Sequence, residues 1–223
     1  MSTADESAEL ELSIQQAAIA PQEDGVYRVI LRTSRGEIAA LLHVAEGEPG
    51  AAVMVGGASG GFDGPADGIY ARLGPALALA GVSTLRVHYR VPDDLDECVL
   101  DVLAAVSFLR GIGAGRVALL GHSFGGAVVI KAGTLSPAVS GVVAMSSQLH
   151  GTSNVADLAP RPLLLVHGME DQVLEATASE LLYERAQEPK RIVLYAEAGH
   201  SLVQAKDELF DLLRAWIPMH VHG

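Results

Sequence analysis

The stretch Gly121-His122-Ser123-Phe124-Gly125-Gly126 constrains this chain more than any other. An apolar run, Val117-Ala118-Leu119-Leu120, leads into it, and a second, Ala127-Val128-Val129-Ile130, leads out. The first reads as a strand buried on both faces, the second as a helix. The six residues between them form a sharp strand-to-helix turn with a serine at its apex. Glycine at 121 and 125 lets strand and helix approach closely, and the strained turn presents the serine Oγ outward. This is the G-x-S-x-G pattern that carries a nucleophilic serine. The turn therefore proposes an architecture, strand and helix in alternation, and a reaction class, acyl transfer through a serine.

The alternation extends in both directions. Residues 26–33 and 37–44 read as two strands joined by the turn Ser34-Arg35-Gly36, a hairpin signal. The apolar run 51–55 reads as a strand, followed by a glycine-rich loop and a helix over 69–80. Residues 82–89 read as a strand and 95–110 as a helix with Leu95, Val99, Val102, Leu103, Val106 and Leu109 on one stripe. After strand 117–120 and helix 124–134 come strands at 141–145 and 163–166, a helix at 173–186, a strand at 191–195 and a closing helix at 201–216. A hairpin followed by repeated strand-helix units implies a mostly parallel central sheet with helices on both faces.

Composition bounds the rest. A chain of 223 residues suits one α/β domain, expected over 21–223, preceded by an acidic segment over 1–20 that reads as a short helix or a loose appendage. With 49% apolar and 19% charged residues, the chain is globular and not disordered. A formal charge of −12 argues against a nucleic-acid surface and against anionic membranes. The single cysteine, Cys98, allows no internal disulfide and reads as a small packed side chain. The start of the chain lacks a basic region followed by an apolar core, and no apolar run is long enough to span a membrane, so a cytoplasmic location is expected.

A serine needs a base to take its proton, and the base needs a partner to hold its tautomer and stabilise its charge. In an alternating α/β sheet the order along the chain is serine, acid, histidine, and sites lie at the carboxyl ends of strands. Past strand 163–166 stands His167-Gly168-Met169-Glu170-Asp171, and past strand 191–195 stands Gly199-His200. Ser123, Asp171 and His200 are thus the candidate catalytic residues, with Glu170 competing for the acid. Helix capping is the bland role open to Asp171 and to His200. The oxyanion donors are expected to be the backbone N–H groups of Phe124 and Ala58, with Gly57 and Ser59 beside them. The loop 56–65 lacks both the Lys-Ser or Lys-Thr of a phosphate loop and the G-x-G-x-x-G spacing. His122 reads as structural and His167 as bonded locally. His220 and His222 lie at the terminus, the histidines lack ligand spacing, and neither metal nor cofactor is expected.

Taken together, Gly-His-Ser-Phe-Gly-Gly at 121–126, His-Gly-Met-Glu-Asp at 167–171 and Gly-His at 199–200 resemble the α/β-hydrolase superfamily across residues 25–217. The stretch Leu85-Arg86-Val87-His88-Tyr89-Arg90-Val91-Pro92 is similar to the small, lidless, dienelactone-hydrolase-like group. The resemblance implies the α/β-hydrolase fold and a serine hydrolase acting on small carboxylic esters. Two departures matter. Dienelactone hydrolases proper use a cysteine where this chain has Ser123, and many relatives carry His-Gly where it has Gly56-Gly57. An aspartate nucleophile, as in dehalogenases and epoxide hydrolases of this fold, is absent. The segment 146–162, where the family's lid would insert, is too short for a lid domain; its Gln148 and His150 are candidates for lining the substrate pocket. Thioesterase, peptidase and perhydrolase activity use the same triad and stay open, as does a non-catalytic small-molecule-binding protein on this fold.

Overall fold

The computed structural model describes residues 11–47 and 50–222. Its centre is a sheet of nine strands, in chain order β1 (Ile14–Pro21), β2 (Val26–Thr33), β3 (Gly36–His43), β4 (Gly50–Val55), β5 (Val82–His88), β6 (Arg116–His122), β7 (Val139–Met145), β8 (Leu163–Gly168) and β9 (Lys190–Tyr195). Across the sheet the order is β1-β2-β3-β5-β4-β6-β7-β8-β9. The first three pair antiparallel, β3 also runs antiparallel to β5, and the pairs from β5 through β9 are parallel.

Among the described residues five helices cover the sheet: α1 (Pro65–Leu79), α2 (Leu95–Gly111), α3 (Phe124–Leu135), α4 (Thr177–Arg185) and α5 (Lys206–Val221). Strands β4 and β8 are buried at every residue, which explains their unbroken apolar runs. Their side chains alternate between two cores. Val53, Leu85, Leu119 and Leu165 join α2 and α3 in one core; Met54, Leu120, Leu164 and Val166 join α1 and α5 in the other. The α/β-hydrolase architecture expected above is the one observed, and the 146–162 segment holds only a 3-10 turn at Val155–Leu158 in place of a lid.

Three local readings differ. Residues 14–20 are not an appendage: they belong to β1, which pairs with β2 at the sheet edge. Seven of the eight β1 residues are exposed, so the strand is held by its backbone ladder and carries no alternating pattern to read. Helix α4 begins at Thr177 instead of 173, because the Asp171 carboxylate accepts the N–H groups of Val173 and Leu174 and folds these residues into a turn. The closing helix starts at Lys206, after a 3-10 turn at Val203–Ala205, and runs on to Val221.

Candidate active site

Three loops at the carboxyl end of the sheet converge. Strand β6 delivers Ser123, whose φ of 58° and ψ of −120° lie outside the regions a side chain prefers. Such strain costs roughly 1–3 kcal/mol and persists only where the surroundings impose it. Here the Ser123 N–H donates to the Met145 carbonyl at 2.8 Å and its carbonyl accepts from Gly126 at 3.0 Å, closing the turn from both sides. The chain can double back this sharply because a methyl group at Gly121 would stand 2.0 Å from the Gly125 carbonyl oxygen. Helix α3 starts at Phe124, so its positive end faces the serine.

The candidate acid and base come from the ends of β8 and β9. A methyl group on Gly168 would lie 2.1 Å from the Ala198 carbonyl oxygen, so glycine there is what lets the two loops touch. The contact is tied by the Met169 N–H to Tyr195 and the Glu170 N–H to Ala198, at 2.9 and 3.0 Å. His200 Nδ1 lies 2.8 Å from Asp171 Oδ2, and His200 Nε2 lies 3.0 Å from Ser123 Oγ. Facing a carboxylate, Nδ1 carries the ring hydrogen; Nε2 is then the acceptor for the serine hydroxyl.

The competing acid, Glu170, is exposed, whereas the Asp171 side chain is fully buried. Burial alone would push the Asp171 carboxyl up. The N–H of Leu174, the His200 ring and the N–H of Val173 outweigh it and hold the carboxyl below the ordinary range. Asp171 is therefore a carboxylate at neutral pH. His122, next to the serine, donates its Nε2–H to the His200 carbonyl at 2.9 Å. Its burial, countered in part by that bond, pushes its imidazole down to about 4, so it is neutral at neutral pH.

The loop after β4 lies over the serine. A methyl group at Gly57 would stand 3.6 Å from Ser123 Cβ, and Ala58 and Ser59 follow it, both exposed. The loop's carbonyls are occupied from behind: Tyr70 Oη donates to Val55 at 2.9 Å and Tyr89 Oη to Gly56 at 3.3 Å. The Gly61 N–H donates to His88 Nδ1 at 2.9 Å, and Gly60 to Gly57, also at 2.9 Å. Among the described residues neither the Phe124 nor the Ala58 N–H donates to a backbone acceptor. The other candidates lie less centrally. Gln148 Nε2 donates to the His150 carbonyl at 3.1 Å. His150 is exposed and lines a separate hollow with Asp93–Asp96, Lys131 and Arg185 that contains none of the triad. His220 packs against Trp216 and His222 faces the Ala80 carbonyl at 2.9 Å. Among the described residues no group of three or more His, Cys, Asp or Glu could hold a metal ion.

Sequence reasoning passed over Tyr70, Tyr89 and His88. Tyr70 lies on α1, and Tyr89 and His88 close β5, so only the packed structure shows which carbonyl or N–H each one meets. For His88 and Tyr89 a signal did exist, since they stand at and just past the carboxyl end of β5, which runs parallel to β4 and its glycine-rich loop.

A nine-stranded, mostly parallel sheet with this elbow, acid and base at successive strand ends, and no lid, defines a lidless α/β-hydrolase. The chain belongs to the dienelactone hydrolase family, whose sequence model matches residues 79–216, more than half of it. Among curated proteins it is 29% identical over 126 residues to the Escherichia coli K12 uncharacterized protein YfhR, covering 45% of this chain and 44% of that one. The chain thus spans about half the length of the curated relatives it matches. Its structure is similar to that of the dienelactone hydrolase from Anabaena variabilis, with a TM-score of 0.77 at 18% identity, over 92% of this chain and 99% of that one. It is also similar to a lidless α/β serine hydrolase from Xanthomonas campestris, with a TM-score of 0.72 at 17% identity, over 94% and 99% of the two chains. At these identities the likeness is one of fold. Among the described residues no helix is long and apolar enough to cross a membrane.

Proposed function

We propose that this protein is a serine carboxylesterase of small esters. The observation that carries the reading is the unbroken line Ser123 Oγ to His200 Nε2 at 3.0 Å and His200 Nδ1 to Asp171 Oδ2 at 2.8 Å. His200 takes the hydroxyl proton as Ser123 Oγ attacks the ester carbonyl carbon. Asp171, already ionised, stabilises the imidazolium that forms. The oxyanion is met by the Phe124 and Ala58 N–H groups and by the positive end of α3. As the tetrahedral intermediate collapses, His200 gives the proton to the leaving alkoxide, and the acyl group stays on Ser123. Water then enters and attacks the acyl carbon as His200 takes its proton; the Ser123 Oγ–acyl bond breaks, and His200 returns the proton to Oγ as the acid leaves. The short 146–162 segment leaves the site open, which suits small acyl groups.

Ser123→Ala removes the nucleophile and little else. It is expected to lower kcat on p-nitrophenyl acetate by at least ~10³-fold with an unchanged melting temperature. A fluorophosphonate is expected to label the wild-type protein at Ser123 and not the variant. Turnover unaffected by the substitution sinks the assignment, and a wild-type protein that resists the label points to a binding protein on the same fold.

A further inference from the structure

Asp171 does not end the line of hydrogen bonds. Beneath it lies His167, the penultimate residue of β8, with a completely buried side chain. His167 Nε2 is 3.1 Å from Asp171 Oδ2 and 2.9 Å from the Leu174 carbonyl oxygen. Both are acceptors, so Nε2 carries the hydrogen. Nδ1 is left with its lone pair, and the hydroxyl of Ser179, itself fully buried in the first turn of α4, donates to it across 2.7 Å.

The Asp171 carboxylate consequently faces four donors, the His167 N–H being shared with the Leu174 carbonyl. Val173 and Leu174 N–H groups reach Oδ1 at 2.8 and 2.9 Å; His200 and His167 reach Oδ2 at 2.8 and 3.1 Å. A carboxylate offers about four lone-pair directions, so every one is taken. The two N–H groups fix the position of Oδ1 alone. It is His167 that stops Oδ2 from swinging off the His200 axis, and Ser179 that stops the His167 ring from turning over.

We propose that His167 is a positioning residue of the triad, holding the Asp171 carboxylate on His200 and anchoring it through Ser179 to α4. The proposal rests on the esterase reading above and deepens it. Neither side chain touches the serine, so the effect falls on kcat and not on KM. It is also transmitted only through Asp171, which separates it from a role in packing β8 against α4.

A double-mutant cycle on p-nitrophenyl acetate hydrolysis tests this. His167→Leu is expected to lower kcat about 10- to 100-fold, the scale of one hydrogen bond to a charged group, with KM within about twofold. His167→Gln, which restores an N–H donor, is expected to recover most of the loss. In an Asp171→Asn background the same His167→Leu change is expected to cost less than about twofold, because the path it acts through is gone. An equal loss in both backgrounds, a loss confined to KM, or no loss at all overturns the proposal. If His167→Leu does not fold, Ser179→Ala replaces it in the cycle, with an expected kcat loss of roughly 2- to 10-fold that vanishes beside Asp171→Asn. Retention of activity by Ser123→Ala removes the esterase reading itself. An inactive Ser123→Ala beside a fully active His167→Leu removes only this inference.

Discussion

Among the described residues, two polar clusters reach into the interior, and they are built on opposite plans. At the end of β6, β8 and β9, the Ser179–His167–Asp171–His200–Ser123 line contains a single charge and a succession of directional hydrogen bonds. Beside the antiparallel hairpin, Arg90 pairs with Asp101 and with Glu97, the latter at 2.8 Å, and Glu97 pairs also with Arg35. This second cluster closes on itself. Arg90 donates further to the Arg35 carbonyl at 2.9 Å and receives no substrate-facing role, since its side chain is 4% exposed. It ties the β2–β3 turn, the end of β5 and the flank of α2 together. The first line ends instead on a half-exposed hydroxyl held at a strained φ. One cluster spends its geometry on staying folded, the other on aiming a lone pair.

The largest break in that contrast comes at Asp171. Asp171→Asn keeps the size of the side chain and, with its amide oxygen at the Oδ1 position, the two contacts from Val173 and Leu174, yet places an amide where the proposed mechanism needs an anion beside His200. The change is expected to lower kcat by roughly 10⁴-fold, as loss of the charged member of such a triad does, while the melting temperature moves by only a few degrees. Steady-state kinetics and a thermal melt on the same preparation decide it. A variant that melts far lower would place Asp171 among the structural ions.

The ion cluster is expected to respond in the opposite way. Asp101 is completely buried, and burial pushes its carboxyl up even though Arg90 hydrogen bonds to it. Asp101→Ala leaves the Arg90 guanidinium and main-chain N–H facing a void. Removing one partner of a buried pair costs about 3–5 kcal/mol, which for a domain of this size lowers the melting temperature by on the order of 10 °C. Turnover per folded molecule, titrated with a fluorophosphonate, is expected to stay within about twofold of wild type. A large loss of kcat in fully folded Asp101→Ala would show that the two clusters are coupled.

The same contrast explains what could be read from residues alone. Strands β4, β6, β7 and β8 are apolar because both faces are buried, so composition betrays them. Ser123 stands at the glycine-marked end of one such strand and Asp171 just past another, His200 follows Gly199 after the half-buried edge strand β9, and their order along the chain does the rest. The Asp171–Glu170 choice was open in sequence, because both follow the same strand and only the loop's closure against Ala198 turns one inward. Edge strand β1 was hidden because a ladder of backbone bonds has no residue preference. The ion cluster was hidden because its members, 35, 90, 97 and 101, come together only after β2, β3, β5 and α2 have packed.

His122 stands between the two plans: a half-buried side chain beside the proposed catalytic line, bonded to the His200 carbonyl. Its ring centroid is 4.9 Å from that of His200, close enough for two positive rings to repel. Its burial settles which one may charge, because the imidazole is pushed down to about 4 from an ordinary 6.5. A histidine with a depressed folded value binds its proton more readily when unfolded. Between about 6.5 and about 4 the unfolded chain therefore holds more protons than the native one, and stability falls as pH falls through that window. Above it the contribution is complete. The shift corresponds to up to about 3 kcal/mol. His122→Gln keeps an N–H for the His200 carbonyl and cannot titrate. Urea unfolding at pH 7 and at pH 4 is expected to show the wild type losing about 3 kcal/mol more than the variant on acidification. Equal losses would mean that His122 takes up its proton as readily in the folded protein as in the unfolded chain, and below about pH 6.5 an imidazolium on His200 would then form beside a second positive ring.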